Sequence, residues 1–129
     1  AIQIGDPVSV QKAIKTLKNF NGIVEQASEE ELAEAAALAD RTGMYSCPHT
    51  GVALAVLIKL LAKQKISKTD RVIIVSTAHG LKFSEFKVGY HEKTLEGIKS
   101  LHANEPISVK PDAGMVREIL EKELAERLK

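Results

Sequence analysis

The length, composition and charge of the chain are those of one ordinary domain or a piece of one. The chain has 129 residues, and 18 basic against 17 acidic side chains give a formal net charge of +1. Because these charges are interspersed, no binding of nucleic acid or of an anionic membrane is expected. The single cysteine excludes an internal disulfide, and no apolar run approaches the roughly 20 residues that span a bilayer. A reduced compartment is expected, the cytoplasm or a plastid stroma.

Helical and strand-like patterns alternate in the first third of the chain. Residues 1–5 are apolar and strand-like without an initiator methionine or leader, which suggests a processed product or a proteolytic core. Apolar residues at helical spacing predict a helix over residues 10–20, and residues 23–24 predict a short buried strand. Ser28 and Glu31 form a capping-box pattern that predicts the start of a second helix.

The middle of the chain carries the strongest apolar patterns. Residues 52–61 are nearly all apolar and predict a third helix that is buried on most sides. The β-branched residues 72–75 predict the central strand of a sheet, covered on both faces. This strand leads directly into Ser-Thr-Ala-His-Gly at residues 76–80, and open α/β sheets bind ligands at such strand ends.

The last part of the chain is less regular. Residues 84–105 predict mostly irregular or loosely helical structure, residues 106–110 a short edge strand, and Asp112 the start of a final helix. The order of these elements predicts an α/β fold, with parallel strands, right-handed crossovers and flanking helices.

The sequence contains no complete catalytic constellation. The four histidines have no partner at a metal-binding spacing, so neither a metal site nor a catalytic residue is assigned. Ser76 precedes His79, but the Gly-x-Ser-x-Gly elbow of a hydrolase is absent. A Gly-rich phosphate loop is absent as well.

Two polar segments leave alternatives open. Thr77 can cap a turn or the next helix, or its hydroxyl can reach from the strand end to a cofactor. Pro-His-Thr at residues 48–50 can be a helix start, with the proline fixing φ and Thr50 capping the first turn. The same segment can also recognise an anion at that helix terminus.

Three segments of the sequence are distinctive: Ala-Ile-Gln-Ile-Gly-Asp-Pro at residues 1–7, Cys-Pro-His-Thr-Gly-Val-Ala-Leu at 47–54 and Thr-Ala-His-Gly-Leu-Lys at 77–82. They resemble the C-terminal part of threonine synthases, particularly those of plant type. The resemblance extends to about residue 91. Threonine dehydratases and cysteine synthases are weaker matches, because the second and third motifs are not expected together in them.

The resemblance implies a type II pyridoxal-phosphate fold, like that of the tryptophan synthase β subunit. It implies conversion of O-phospho-L-homoserine and water to L-threonine and phosphate, with pyridoxal 5'-phosphate as cofactor. The Thr77 hydroxyl would bond the pyridine nitrogen of the cofactor. Ala1, Ile2 and Gly5 would line its ring. The whole chain would be a single partial domain, with the cofactor crevice in residues 1–91 and a tail and helix in 92–129.

The resemblance also indicates what this chain lacks. In the family's enzymes, the N-terminal part contains the lysine that binds the cofactor covalently and the Gly/Asn loop that holds its phosphate. Lys82 does not replace that lysine, and it is expected to be a solvated surface residue. The chain alone is therefore expected to be inactive. Exposed apolar surface should drive it to form a homo-oligomer or to bind the missing N-terminal part. The alternative is a stand-alone α/β binding or regulatory module.

Overall fold

A computed structural model describes residues 4–128 of the protein. Five α-helices lie in this range: α1 (Val10–Asn19), α2 (Glu29–Asp40), α3 (Pro48–Ala62), α4 (Ser84–His91) and α5 (Ala113–Arg127). A 3-10 turn at Gly80–Phe83 precedes α4, and an isolated antiparallel bridge joins Ser46 to His79. Residues 4–128 include no helix that has both the length and the apolar character to cross a membrane.

Helix α2 begins where the capping pattern predicts. The Ser28 backbone N–H donates to Glu31 Oε2 at 2.7 Å, and the Glu31 N–H donates to Ser28 Oγ at 3.2 Å. These bonds satisfy two donors that the first turn of a helix would otherwise leave without partners. The prediction of a capping box is therefore confirmed.

Helices α2 and α3 pack closely through small residues. A Cβ added at Gly51 of α3 would lie 2.5 Å from the carbonyl oxygen of Leu32 and 3.1 Å from Ala36 Cβ. Glycine at position 51 is what lets the two helices approach. The expectation that α3 is buried on most sides is met in part, since residues 52–61 are buried or half-buried except Ile58, which is 51% exposed.

Helix α4 belongs to the core and is the regular part of residues 84–105, for which mostly irregular or loosely helical structure was predicted. Its Tyr90 is 2% exposed, and the Tyr90 hydroxyl donates to Glu34 Oε2 of α2 at 2.7 Å. The same hydroxyl accepts from the His102 N–H at 3.1 Å, and the Leu101 N–H donates to Glu34 Oε1 at 2.9 Å. Hydrogen bonding by Tyr90 and Glu34 thus fixes α4 and the following loop against α2.

The predicted parallel strands are not confirmed in the described residues. Residues 23–24, 72–75 and 106–110 form no ladder there, and Ile73 and Val75 are 88% and 73% exposed. A β-strand needs a neighbour for its backbone N–H and C=O groups. Residues 4–128 supply no such neighbour to these segments, so their apolar side chains lie at the surface.

The first and last helices confirm their predictions but are thinly covered. In α1, Val10 and Ile14 are each 40% exposed, and in α5, Leu120 and Leu124 are 57% and 58% exposed. Asp112 caps α5 as expected, accepting from the Met115 N–H at 2.9 Å. Both helices therefore present apolar stripes toward solvent.

Candidate functional site

The structure places Thr77 at the end of the extended segment 71–77, just before the 3-10 turn. Of the other residues predicted to bind a cofactor, Ala1 and Ile2 lie outside the described residues. Gly5 is exposed, and a Cβ added to it would have no heavy atom within 4 Å among the described residues. The described residues therefore do not bring Gly5 into contact with Thr77.

The residues on either side of Thr77 are bound to the first turn of α3. Ser76 Oγ lies 3.0 Å from Thr50 Oγ1, which in turn lies 3.3 Å from Cys47 Sγ. The backbone N–H of Ala78 also lowers the pKa of Cys47. Pro48 occupies the first turn as predicted, but Thr50 uses its hydroxyl for Ser76 and Cys47 and is not the helix cap.

The thiol of Cys47 is a strong acceptor in this arrangement. Its burial opposes the charged form and raises the pKa, since Cys47 is completely buried. Hydrogen bonds from Thr50, from His49 and from the Ala78 backbone outweigh that effect and lower the pKa to about 6. The sulfur thus anchors Ala78 rather than facing solvent.

The turn that follows Thr77 is bound on its other side. His79 pairs with Ser46 in the antiparallel bridge, and the Gly80 N–H donates to the Tyr45 carbonyl at 2.9 Å. A Cβ at Gly80 would meet Tyr45 Cδ1 at 2.7 Å and Ser46 O at 2.9 Å, so only glycine fits this approach. Residues 76–80 are consequently held by residues 45–50 along nearly their whole length.

Thr77 is the exception within this segment. Its side chain is exposed, and its hydroxyl makes no hydrogen bond to another residue of the described range. The preceding residue, Ser76, is hydrogen-bonded to Thr50 of α3, whereas the exposed Thr77 side chain has no such bond to α3. Of the alternatives left open for Thr77, a cap on the next helical element is not observed. His79 is that cap, and its Nδ1 accepts from the Leu81 N–H at 3.2 Å.

This geometry leaves one hydrogen-bond donor for a ligand that carries an acceptor atom. The bound turn presents the exposed Thr77 hydroxyl, which is a neutral donor. No group of three metal-ligating side chains gathers anywhere in residues 4–128. Lys82 is exposed, as expected of a solvated residue. The arrangement can therefore hold an acceptor atom through one neutral donor.

A second polar cluster supports the segment Tyr45–Cys47 and was not predicted. Lys87 of α4 is 2% exposed and forms an ion pair with Asp40 at the end of α2. Asp40 Oδ1 accepts from the Ser46 N–H at 2.9 Å and from Ser46 Oγ at 3.2 Å. A lysine between the apolar neighbours Phe86 and Val88 is the one sequence signal that could have indicated this cluster.

Comparison with known proteins gives one kind of relative. No family model matches the chain. Threonine synthase 2, chloroplastic, of Arabidopsis thaliana is 53% identical over 124 residues, which is 96% of this chain and 24% of that protein. A threonine synthase of Methanocaldococcus jannaschii is 31% identical over 121 residues, 93% of this chain and 27% of the relative. One from Bacillus sp. (strain ULM1) is 29% identical over 101 residues, 78% and 29% of the two chains.

Homology to these relatives implies a class of fold, the type II fold of pyridoxal-phosphate enzymes, as the resemblance did. More particularly, the chain is a homologue of threonine synthases and spans about a quarter of the length of the relatives it matches. The resemblance seen in the sequence is thereby confirmed, and a stand-alone binding or regulatory module is not favoured.

Proposed function

We propose that the chain is the C-terminal portion of a threonine synthase, an enzyme that converts O-phospho-L-homoserine and water to L-threonine and phosphate with pyridoxal 5'-phosphate. The identity to relatives of that name supports the proposal, since it extends over almost the whole chain. The motifs at residues 47–54 and 77–82 lie together in the structure, in the first turn of α3 and in the turn bound to it.

The main support for the proposal is the exposed Thr77 hydroxyl. The residues on both sides of it are bound to residues 45–50. We propose that this hydroxyl donates to the pyridine nitrogen of the cofactor. When bound, pyridoxal phosphate supplies an electron sink for negative charge on the amino-acid substrate. A hydroxyl is a neutral donor and leaves the ring nitrogen largely unprotonated, whereas a carboxylate there would retain a proton on it. A sink of moderate strength suits elimination and replacement reactions.

The remaining parts of the site belong to the rest of the polypeptide. In this proposal the N-terminal part supplies the lysine that binds the cofactor covalently and the loop that holds its phosphate. It also supplies strands that pair with the exposed segment 71–77, which then becomes the central parallel strand predicted from residues 72–75. Ala1, Ile2 and Gly5 line the cofactor ring from the other side. The isolated chain is inactive because the lysine and the phosphate-binding loop are absent from it.

The test is the substitution Thr77→Val in the full-length polypeptide. Valine keeps the β-branched shape and removes the donor, so cofactor affinity and turnover should both fall, the affinity on the order of tenfold. Thr77→Ser restores the hydroxyl and should recover most of the affinity. The matched control is Thr16→Val, because the Thr16 hydroxyl is exposed and bonds only its own helix at Lys12 O, 2.9 Å away.

Cofactor titration followed by fluorescence, together with assay of phosphate release, gives both readouts. Unchanged cofactor affinity in Thr77→Val, with turnover equal to that of Thr16→Val, would remove Thr77 from the cofactor site.

A further inference from the structure

The least expected side chain of the described residues is Lys87. Lysine is almost never fully buried without a partner, because its charged amine loses its hydration in the interior. Here the side chain is 3% exposed, and the amine forms an ion pair with Asp40. The amine also lies 5.0 Å from the centre of the Tyr45 ring, at a distance suited to a cation–π contact. The two contacts of this amine thus join it to α2 and to the segment Tyr45–Cys47.

The ion pair places Asp40 where it binds Ser46. Asp40 closes α2, and a carboxylate at a helix C-terminus is repelled by the partial negative charge of the last carbonyls. Lys87 offsets that repulsion by pairing with Oδ2, which leaves Oδ1 to accept both hydrogen bonds from Ser46. Without Lys87, the carboxylate would gain by turning toward water and would release Ser46.

Ser46 and Tyr45 bind the residues that follow Thr77. Ser46 bridges to His79, and the Tyr45 carbonyl accepts from the Gly80 N–H at 2.9 Å. The Tyr45 ring, which lies beside Lys87, would be 2.7 Å from any Cβ at position 80. A continuous path of polar contacts therefore joins Lys87 to the residues that follow Thr77.

A buried ion pair contributes little net stability relative to a well-packed apolar pair, whereas removing one partner leaves a costly unpaired charge. Such a pair is therefore expected to contribute more to the orientation of neighbouring residues than to the stability of the fold. We propose that Asp40 and Lys87 are positioning residues for the cofactor contact, which fix the Tyr45–Ser46 backbone and thereby the outward direction of Thr77. This inference rests on the proposed function of Thr77.

The experiment uses the full-length polypeptide with Lys87→Met, which keeps the length of the side chain and removes its charge. Asp40→Asn is the milder second variant, because an amide oxygen can still accept from Ser46. The matched control is Lys59→Met, which breaks the partly exposed ion pair between Lys59 and Glu31, 3.0 Å apart, away from the turn. Cofactor affinity, hydrogen exchange of the Gly80 amide and thermal unfolding are measured for all three variants and for Thr77→Val.

We expect Lys87→Met to weaken cofactor binding on the order of tenfold and to speed Gly80 amide exchange by at least as much, with a smaller effect for Asp40→Asn. A double variant that combines Lys87→Met with Asp40→Asn should be far less impaired than the sum of the two single variants, because it leaves no unpaired charge. Lys59→Met should lower the unfolding temperature without changing either local readout.

A purely structural role predicts a lower unfolding temperature for Lys87→Met and Asp40→Asn with cofactor affinity and Gly80 exchange unchanged, and that result overturns the inference. If Thr77→Val leaves cofactor affinity unchanged, the proposed cofactor contact of Thr77 fails instead. In that case the Gly80 exchange rates still decide whether the ion pair fixes the turn.

Discussion

At the scale of single residues, the two tyrosines show how burial and charge act together. Burial and the hydrogen bond to Glu34 raise the pKa of Tyr90 to about 12. Burial, with a smaller contribution from Asp40, also raises the pKa of Tyr45 above 10.0. Tyr90 therefore keeps its proton in the folded state at a pH where the phenol of an unfolded chain is half ionised, and Tyr45 ionises at a higher pH than in the unfolded chain.

The sign of the pH dependence follows from these shifts. A raised pKa means that the stabilisation is complete below about pH 10 and is lost as the pH rises toward about 12. Ultraviolet absorbance at about pH 10 should therefore detect less tyrosinate in the folded chain, whose helices circular dichroism reports intact, than in the unfolded chain, and should rise abruptly on unfolding. Tyr90→Phe should lessen the loss of stability in that range. Half-ionisation of both tyrosines near pH 10 in a chain with intact helices would contradict the account.

At the scale of elements, the contact between α2 and α3 depends on the absence of a side chain at Gly51. Alanine is the better helix former by about 1 kcal/mol. Its Cβ would nevertheless lie 2.5 Å from the Leu32 carbonyl, and backbone must move to accept it. Gly51→Ala should therefore lower the free energy of unfolding by about 1–3 kcal/mol in urea titrations.

The control for this substitution is Gly5→Ala, since an added Cβ there has no heavy atom within 4 Å. Its unfolding midpoint should match that of the parent chain. Equal urea midpoints for Gly51→Ala and the parent would mean that α2 and α3 can move apart without loss of stability. Their packing would then not be the core of this chain.

The helices were predictable where local signals decide them. The capping box at Ser28, the proline that opens α3 and the Asp112 cap of α5 all act within one helical turn, so sequence alone locates them. Helix α4 escaped prediction because its stability depends on distant partners, as when Tyr90 reaches Glu34, which lies 56 residues away. The run at residues 72–75 has strand-like composition, but a strand also requires neighbours that residues 4–128 do not supply.

The candidate site was predictable to a similar extent. Thr77 was singled out from its position after a β-branched run, and Thr50 from its place at a helix start. The hydrogen bond from Thr50 to Ser76, the bond from Ala78 to Cys47 and the ion pair of Lys87 all join residues that no local pattern connects. Such contacts depend on the three-dimensional arrangement of α2, α3 and α4.

At the scale of the whole molecule, the described chain exposes more apolar surface than a self-contained domain would. Val8, Phe20, Ile73 and Val75 are 102%, 79%, 88% and 73% exposed, and α5 adds Leu120 and Leu124. Contiguous apolar patches on a soluble chain usually mark interaction surfaces. This exposure agrees with a chain that spans about a quarter of its relatives' length.

We therefore expect the isolated chain to self-associate, with its apparent size rising with concentration in size-exclusion chromatography. Adding the N-terminal part of the polypeptide should replace self-association by a one-to-one complex and restore phosphate release from O-phospho-L-homoserine. A strictly monomeric chain at every concentration, with no complex formed on mixing, would contradict this view of the exposed surface.

The most direct test of the central claim is the nitrogen-15 chemical shift of the cofactor's pyridine nitrogen, measured in the full-length polypeptide with labelled pyridoxal phosphate. The account predicts the shift of an unprotonated nitrogen that accepts a hydrogen bond, and a further displacement toward the value of a free nitrogen in Thr77→Val. A protonated nitrogen in the parent, or an identical shift in Thr77→Val, would contradict it.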